Sequence, residues 1–383
     1  MPLSSLKRNF TYPTLEWLHD SRAIGIILLS CTFISLFLSN IGNTAYTHFW
    51  HIEYKALAAW HLPHNLYVWI NDGLMTLFFF LAGMEIKREL KIGELSSIKK
   101  AILPMGAAVG GMLAPAVIFL ILNKGTAFTM GWGIPIATDI AFSLGIASLL
   151  GKKMPVSAKI FLTALAIVDD LGAILVIALF YGGTVQLTYL LLSVSIVFLI
   201  IIINKTIRFG WLQCLLGLAL WFCLYNSGIH ATLAGVTFAF LVPTKQLIYY
   251  EHKIHLVVNF IILPLFALAN TAIVFPQQGL QALNNTLSWG VMAGLFIGKP
   301  LGIVSLCWIL VKNKIAVLPY KTSWPTLIGV GILAGIGFTM SIFISTLAFT
   351  EAAMQDIAKI AVLIASFLSM GIGYAWIMLL VKK

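Results

Sequence analysis

The sequence predicts an all-α, polytopic membrane protein of about twelve spans forming one domain over 1–383, and three observations predict it. Hydrophobic residues make up 60% of the chain and charged residues 10%, whereas a soluble domain carries about 25% charged residues. Apolar runs of about 20 residues, the length that crosses a bilayer as helix, recur from Ala23 to Lys382 with short polar breaks. Lysine and arginine gather in alternate breaks, as the loops on one side of a membrane do.

The first expected span, 23–40, follows Lys7 and Arg8. It is long for a signal segment and lacks an A-x-A cleavage site, so it reads as an uncleaved helix. The segment 44–62 carries Tyr46, Trp50, Tyr54 and Trp60, a composition that suits an aromatic belt at the membrane surface. Spans at 66–86 and 101–122 follow, the former with Asp72 near its start. The fourth, 130–150, contains Pro135, which removes a backbone donor and disfavours helix at the preceding residue, close to Asp139. The fifth, 157–181, holds Asp169 and Asp170 side by side, and the sixth runs 187–204. The seventh and eighth, 210–225 and 229–243, are short and split by Asn226, Ser227 and Gly228, yet both are needed to keep later basic loops on one side. The ninth is 254–275 and the tenth 287–311, with Lys299 inside it. The eleventh, 325–349, contains Gly335 and Gly337, natural points of unwinding. The twelfth is 358–381.

With twelve spans, the basic residues fall on the same side as both termini. The exceptions are Lys55, Lys124 and Lys359 on the other side, and Lys159 and Lys299 within spans. The net charge of +11 therefore encodes cytoplasmic termini, and nucleic acid is excluded as its explanation. The cysteines Cys31, Cys214, Cys223 and Cys307 fall in apolar segments without C-x-x-C spacing, as small core residues would.

Four acids, Asp72, Asp139, Asp169 and Asp170, and one base, Lys299, lie within spans. Each costs about 2.5 to 3.5 kcal/mol at a helix centre, so the set opposes insertion by about 10 kcal/mol or more. A structural ion pair accounts for one acid and the base. The remaining deep acids leave surplus negative charge, which needs protons or a bound cation. Successive helix positions point about 100° apart, so one aspartate of the adjacent pair faces a partner helix while the other faces an aqueous cavity. The fourth and eleventh spans are seven apart and cross in opposite directions, as do the third and tenth, and the fifth and twelfth. That is the pattern of an inverted repeat, here 101–181 against 287–381. Where two broken helices cross, like dipole ends meet, and an acid at the positive ends and a base at the negative ends relieve the repulsion. Asp139 and Lys299 suit this structural role by type and depth, while Thr138 offers a hydroxyl of the kind a small hard cation takes.

Six blocks carry a resemblance over nearly the whole chain. They are WINDGLMTLFFFLAGMEIKREL (69–90), GWGIPIATDIAFSLG (131–145), KIFLTALAIVDDLGAILVIALFY (159–181), SGIHATLAGV (227–236), LFIGKPLGI (295–303) and GILAGIGFTMSIFI (331–344). The chain resembles the NhaA-type bacterial sodium/proton antiporters, for which inverted repeats have already been described. The resemblance implies twelve helices with crossed unwound segments at the fourth and eleventh, and exchange of Na⁺ or Li⁺ for protons across the bacterial inner membrane. It implies Asp169 and Asp170 as the cation and proton site, with Thr138 near it. Asp139 and Lys299 become the compensators of the helix ends, Lys299 also as a partner of Asp169. It further implies a homodimer through 44–62, no cofactor besides the transported ions, and a pH-responsive cluster at Glu85, Glu251, His252 and His255. From sequence alone that cluster equally suits a solvated face, histidine titrating in the right range. His230, at the start of a short span, suits either packing or gating. The stretch 244–255 reads as a short, lightly charged loop.

One carboxylate pair that holds either a cation or protons needs no separate coupling device, since burial disfavours the charged acid and so favours a bound proton or cation. A sodium-coupled symporter of an organic solute is the alternative transporter, but it requires a second polar pocket that the sequence does not display. An intramembrane aspartyl protease also sets acids in helices. Such enzymes resemble Tyr-Asp on one helix and Gly-x-Gly-Asp on another, whereas Gly335 to Phe338 carry no acid.

Overall fold

The computed structural model describes residues 21–42, 44–275 and 279–380, and among these it contains helices and no strand. Lys7, Arg8, Lys382 and Lys383, on which the orientation partly rests, lie outside the described residues. The membrane-type helices in chain order are α1 (Ser21–Asn40), α2 (Leu66–Lys91), α3 (Ile98–Leu122), a 3-10 segment (Ala127–Ile136) leading to α4 (Ile140–Leu149), α5 (Val156–Phe180) and α6 (Leu187–Thr206). They continue with α7 (Trp211–Asn226), α8 (Thr232–Leu241), α9 (Thr244–Asn270), α10 (Thr286–Lys312), α11 (Trp324–Ala334), α12 (Phe338–Ala348) and α13 (Ala352–Leu380). Among the described residues, eight of these are long and apolar enough to cross a bilayer, or up to ten when each bent pair counts as one span. Each of the twelve expected stretches contains helix, but α7 and α8 remain shorter than a crossing helix.

Local chemistry sets several helix ends. The side chains of Asn65, Asn285 and Ser323 accept the free amides of Val68, Ser288 and Thr326 at the starts of α2, α10 and α11. Three spans contain a π-helical turn, at Trp69–Leu74, Val258–Ile262 and Gly294–Gly298. The last two end just before Pro264 and Pro300, where a missing amide would otherwise break a regular helix. Fully buried Phe79, Phe142, Phe266 and Phe343 fill the centre. On α6 only Ser193 and Ile200 are buried, and Leu191, Phe198 and Ile202 lie exposed, as a lipid-facing helix requires.

Helices α3 and α10 touch backbone to backbone. A Cβ on Gly302 would lie 2.0 Å from the carbonyl oxygen of Gly110, and one on Gly110 would lie 2.2 Å from that of Gly302. Nothing larger than glycine fits this crossing, so it fixes the position of Lys299, one turn before Gly302.

Four expectations need correction. The stretch 244–255 is not a loop: Pro243 precedes helix from Thr244, and Leu247 and Glu251 are buried one turn apart, so α9 starts ten residues before the expected span. The same span ends earlier too, at Asn270 rather than 275. Trp50 is buried, with Tyr46 set edge-on at 5.9 Å and 88°, so of the four aromatic residues Tyr46, Trp50, Tyr54 and Trp60 the last two are exposed, as is Phe49 beside them. Cys214 is exposed on α7, while Cys223 and Cys307 are buried and Cys31 is intermediate. Hydropathy sees each as apolar but not which side of a helix meets a neighbour. In the short helix Thr44–Trp50 and the turn after it, His51 stacks at 4.9 Å on Tyr67, whose hydroxyl accepts from Lys359 at 3.1 Å. Loss of water around the ring, then the Lys359 ammonium, then His48, hold the His51 pKa below the ordinary histidine value.

Candidate functional site

Both bent pairs break in the middle of the bundle. The 3-10 segment and α4 meet at 43°, and α11 and α12 at 45°. The glycines of the second break have negative φ, −69° at Gly335 and −92° at Gly337, so left-handed backbone is not what requires glycine. Close approach requires it at Gly335, where a Cβ would lie 2.5 Å from the carbonyl oxygen of Leu295 on α10. The two breaks then bond to each other. The Asp139 amide donates to Ile336 O at 2.7 Å, and the Ser341 hydroxyl to Ile134 O at 2.7 Å.

The freed helix ends are satisfied unequally. Asp139 meets both positive ends: its carboxylate accepts the amides of Phe142 on α4 and Thr339 on α12, each at 3.0 Å, and the Thr339 hydroxyl as well. Lys299, fully buried, meets only one negative end, donating to Ile136 O where the 3-10 segment stops. At the end of α11, hydroxyls stand in the expected place of a lysine. Thr138 Oγ lies 2.9 Å from Ala334 O, and Ser143 donates to Leu333 O at 3.0 Å. Two hydroxyls spare the protein a second buried charge, which is why composition alone suggests that one base serves both ends.

The adjacent carboxylates of α5 diverge. Asp169, fully buried, turns toward α10 and the break, with Oδ2 2.9 Å from Lys299 Nζ and 2.7 Å from Thr138 Oγ. The Thr138 hydroxyl has one proton and two acceptors, Asp169 Oδ2 and Ala334 O, so it satisfies both only when the Asp169 carboxyl itself carries a proton and donates back. Asp170, 4% exposed, turns the other way and lines a cavity of about 160 Å³. The cavity wall continues past Thr163 of α5 to Glu85 and Arg88 of α2 and to His255 and Asn259 of α9. Asp169 Oδ1 and Asp170 Oδ1 are buried oxygens without a hydrogen-bond partner among the described residues. Unpartnered buried carboxylate oxygens are costly unless a proton or cation visits them.

The structure brings Glu85 and His255 to the cavity and leaves His252 exposed. Glu251 is buried and accepts from Arg88 Nη1 at 2.7 Å, tying α9 to α2. His230 lies on the opposite side of Asp170. Its Nε2 contacts the carbonyl of Tyr181, which caps the far end of α5. Asp72 sits in the first π-helical turn, its backbone carbonyl accepting Trp221 Nε1 at 2.8 Å, away from the carboxylate pair. Sequence reasoning missed Thr339, Asn259 and the pairing role of Arg88. Thr339 was within reach, as the second residue after the Gly337 break. A partner 163 residues distant in the chain, as Glu251 is from Arg88, leaves no local trace.

Comparison with known proteins adds an independent line. The family model for Na⁺/H⁺ antiporter 1 matches residues 15–377. The chain is 45% identical to a protein of Clostridium beijerinckii named Na⁺/H⁺ antiporter NhaA 1, covering 97% of this chain and 96% of that one. It is 47% identical to the Na⁺/H⁺ antiporter NhaA 2 of Flavobacterium johnsoniae, over 94% and 90% of the two chains. Against the Na⁺/H⁺ antiporter NhaA of Cytophaga hutchinsonii the identity is 42%, over 100% and 97%.

Proposed function

The chain belongs to the Na⁺/H⁺ antiporter 1 family, and from that premise we propose that it exchanges Na⁺ or Li⁺ for protons by alternating occupancy of Asp169 and Asp170, with Thr138 beside them. The observation that carries this reading is the pair of buried carboxylates, each with an unpartnered oxygen, of which one faces Lys299 and the other a cavity. Oxygen ligands of this kind suit a small hard cation. A Na⁺ drawn to Asp170 competes with a proton for the same carboxylate oxygens. Departure of protons from both aspartates for each Na⁺ bound makes the cycle electrogenic. One net charge moved through about 150 mV supplies about 3.5 kcal/mol, enough for about a few-hundred-fold Na⁺ gradient.

Alternating access then consists of the two broken segments rocking against α2 and α9, with Asp139 and Lys299 holding the helix ends as they move. In this reading the cavity opens to the cytoplasm, where Lys87, Arg88, Lys99 and Lys100 gather. Both termini lie in the cytoplasm, the repeats are 101–181 and 287–381, and 44–62 mediates a homodimer in the bacterial inner membrane. The Arg88–Glu251 pair with Glu85 and His255 supports a pH-responsive entrance to the site. His252 is exposed, and His230 belongs to the other side of the site. A symporter would need a pocket for an organic solute between the same helices, and the cavity at Asp170 is lined for an ion.

Proteoliposomes holding an imposed pH gradient test the exchange itself. Added Na⁺ or Li⁺ is expected to collapse the gradient while K⁺ leaves it standing. Equal collapse by K⁺ or no response to Na⁺ would remove the proposal.

A further inference from the structure

At the end of α2 away from the cavity, a lysine reaches across the bundle. Lys359 of α13 is 4% exposed, and its Nζ donates at 3.1 Å to the hydroxyl of Tyr67, in the first turn of α2. His51 stacks on the same ring at 4.9 Å. Tyr67 stands 18 residues before Glu85 on one helix, about 27 Å along its axis, which is close to the thickness of a hydrocarbon core. The contact and the mouth of the cavity therefore lie toward opposite faces of the membrane.

The two partners belong to different bodies. Tyr67 is bound into the frame of α2 and α9, because Asn71, one turn on, donates to the Tyr67 carbonyl at 2.9 Å and accepts from Asn270 of α9 at 3.1 Å. Lys359 belongs to α13, which packs on α10, α11 and α12 and so travels with the second broken span. At the cavity end these bodies are parted, with Thr163 and Asp170 of α5 and Glu85 and Arg88 of α2 lining one space of about 160 Å³. At the other end the lysine ties them. A buried ammonium that loses an acceptor must find water in its place, so that end stays shut until water enters.

We propose that the Tyr67–Lys359 contact is a latch on the side opposite the cavity: it holds the bundle closed there while the cavity is open, and its release is a step in passing the site to the other face. His51 steadies the tyrosine ring, so the hydroxyl keeps its place for the returning ammonium. The latch rests on the reading in which the broken spans rock against α2 and α9, and it offers no ligand to the ion.

The test measures how fast an impermeant thiol reagent, applied from the Tyr67 side of sealed vesicles, reaches a cysteine placed at Ile174, with the four native cysteines replaced by alanine. Ile174 is buried one turn beyond Asp170 on the same face of α5, away from the cavity mouth, so reagent arrives from that side when the latched end opens. Tyr67→Phe keeps the ring and removes the acceptor. It is expected to raise the reaction rate about tenfold, the size of a lost hydrogen bond to a charged group. Lys359→Met is expected to do the same, and the double variant to add nothing further, since both changes break one contact. A merely structural contact would lower the melting temperature and leave the labelling rate alone. An unchanged rate in Tyr67→Phe, or increases that multiply in the double variant, overturns the latch. Should Lys359→Met fail to fold, Tyr67→Phe decides alone: a rise supports the latch, and no rise overturns it. Labelling does not depend on which group ligates the ion, so continued exchange by Asp170→Asn would remove the aspartate reading and leave the latch to be judged on its own rate.

Discussion

Asp170→Asn is expected to reduce Na⁺-driven proton flux to background while the protein stays folded. Asparagine keeps the shape of the side chain and removes the charge, which eases rather than hinders insertion into the membrane. Asp170 is the carboxylate on the cavity, with an oxygen that no group among the described residues satisfies. Asp139 is committed to the amides of Phe142 and Thr339, and Oδ2 of Asp169 to Lys299 and Thr138, so neither aspartate supplies the missing charge at this point of the cavity. Purified Asp170→Asn should therefore melt at or above the wild-type temperature and fail to collapse a pH gradient on addition of Na⁺. Exchange near the wild-type rate would dismiss Asp170 as the indispensable ligand.

The second large effect is expected at Lys299. Its ammonium, fully buried, bridges Asp169 Oδ2 and the carbonyl end of the 3-10 segment. Lys299→Ala strips both at once and opens space beside the Gly110–Gly302 contact. Breaking a buried ion pair from one side typically costs about 3 to 5 kcal/mol. The lower end applies here if Asp169 takes up a proton and donates it to Thr138. Lys299→Ala should thus melt several degrees below wild type yet retain measurable, weakened exchange, because Asp170 is untouched. Lys299→Arg keeps the charge and should lose less, although the guanidinium must fit where no surface is exposed. A Lys299→Ala protein as stable as wild type would mean that the pair holds nothing together.

What is legible in the sequence follows from what membranes penalise. Apolar runs, buried acids and the positive side of the chain each carry a cost that must be met locally, so the helical stretches, the broken fourth and eleventh spans and the Asp169–Asp170 pair stand out in one dimension. Pro135 and the Gly335–Gly337 step mark the breaks correctly, although Gly335 is needed for its closeness to Leu295 rather than for unusual backbone angles. What hydropathy does not carry is direction around a helix. Trp50 and Trp60 look alike in sequence, and one is buried while the other is 74% exposed. The stretch from Thr244 reads as a loop because its polar residues outweigh its apolar ones, yet Leu247 and Glu251 are buried and the helix runs through them. Pairings such as Arg88 with Glu251, or Thr138 with Ala334, depend on helices brought together by the fold and have no local signature.

The central claim is that Na⁺ and protons contend for one carboxylate pair. The most direct measurement is the apparent KM for Na⁺ of the reconstituted protein across its active pH range. Competition predicts that KM rises as pH falls, by about tenfold for each pH unit while one proton is displaced and by up to about a hundredfold where both aspartates are protonated, while the maximal rate at saturating Na⁺ changes far less. A KM that stays constant over that range would contradict the account, since protons and Na⁺ would then be bound at separate sites.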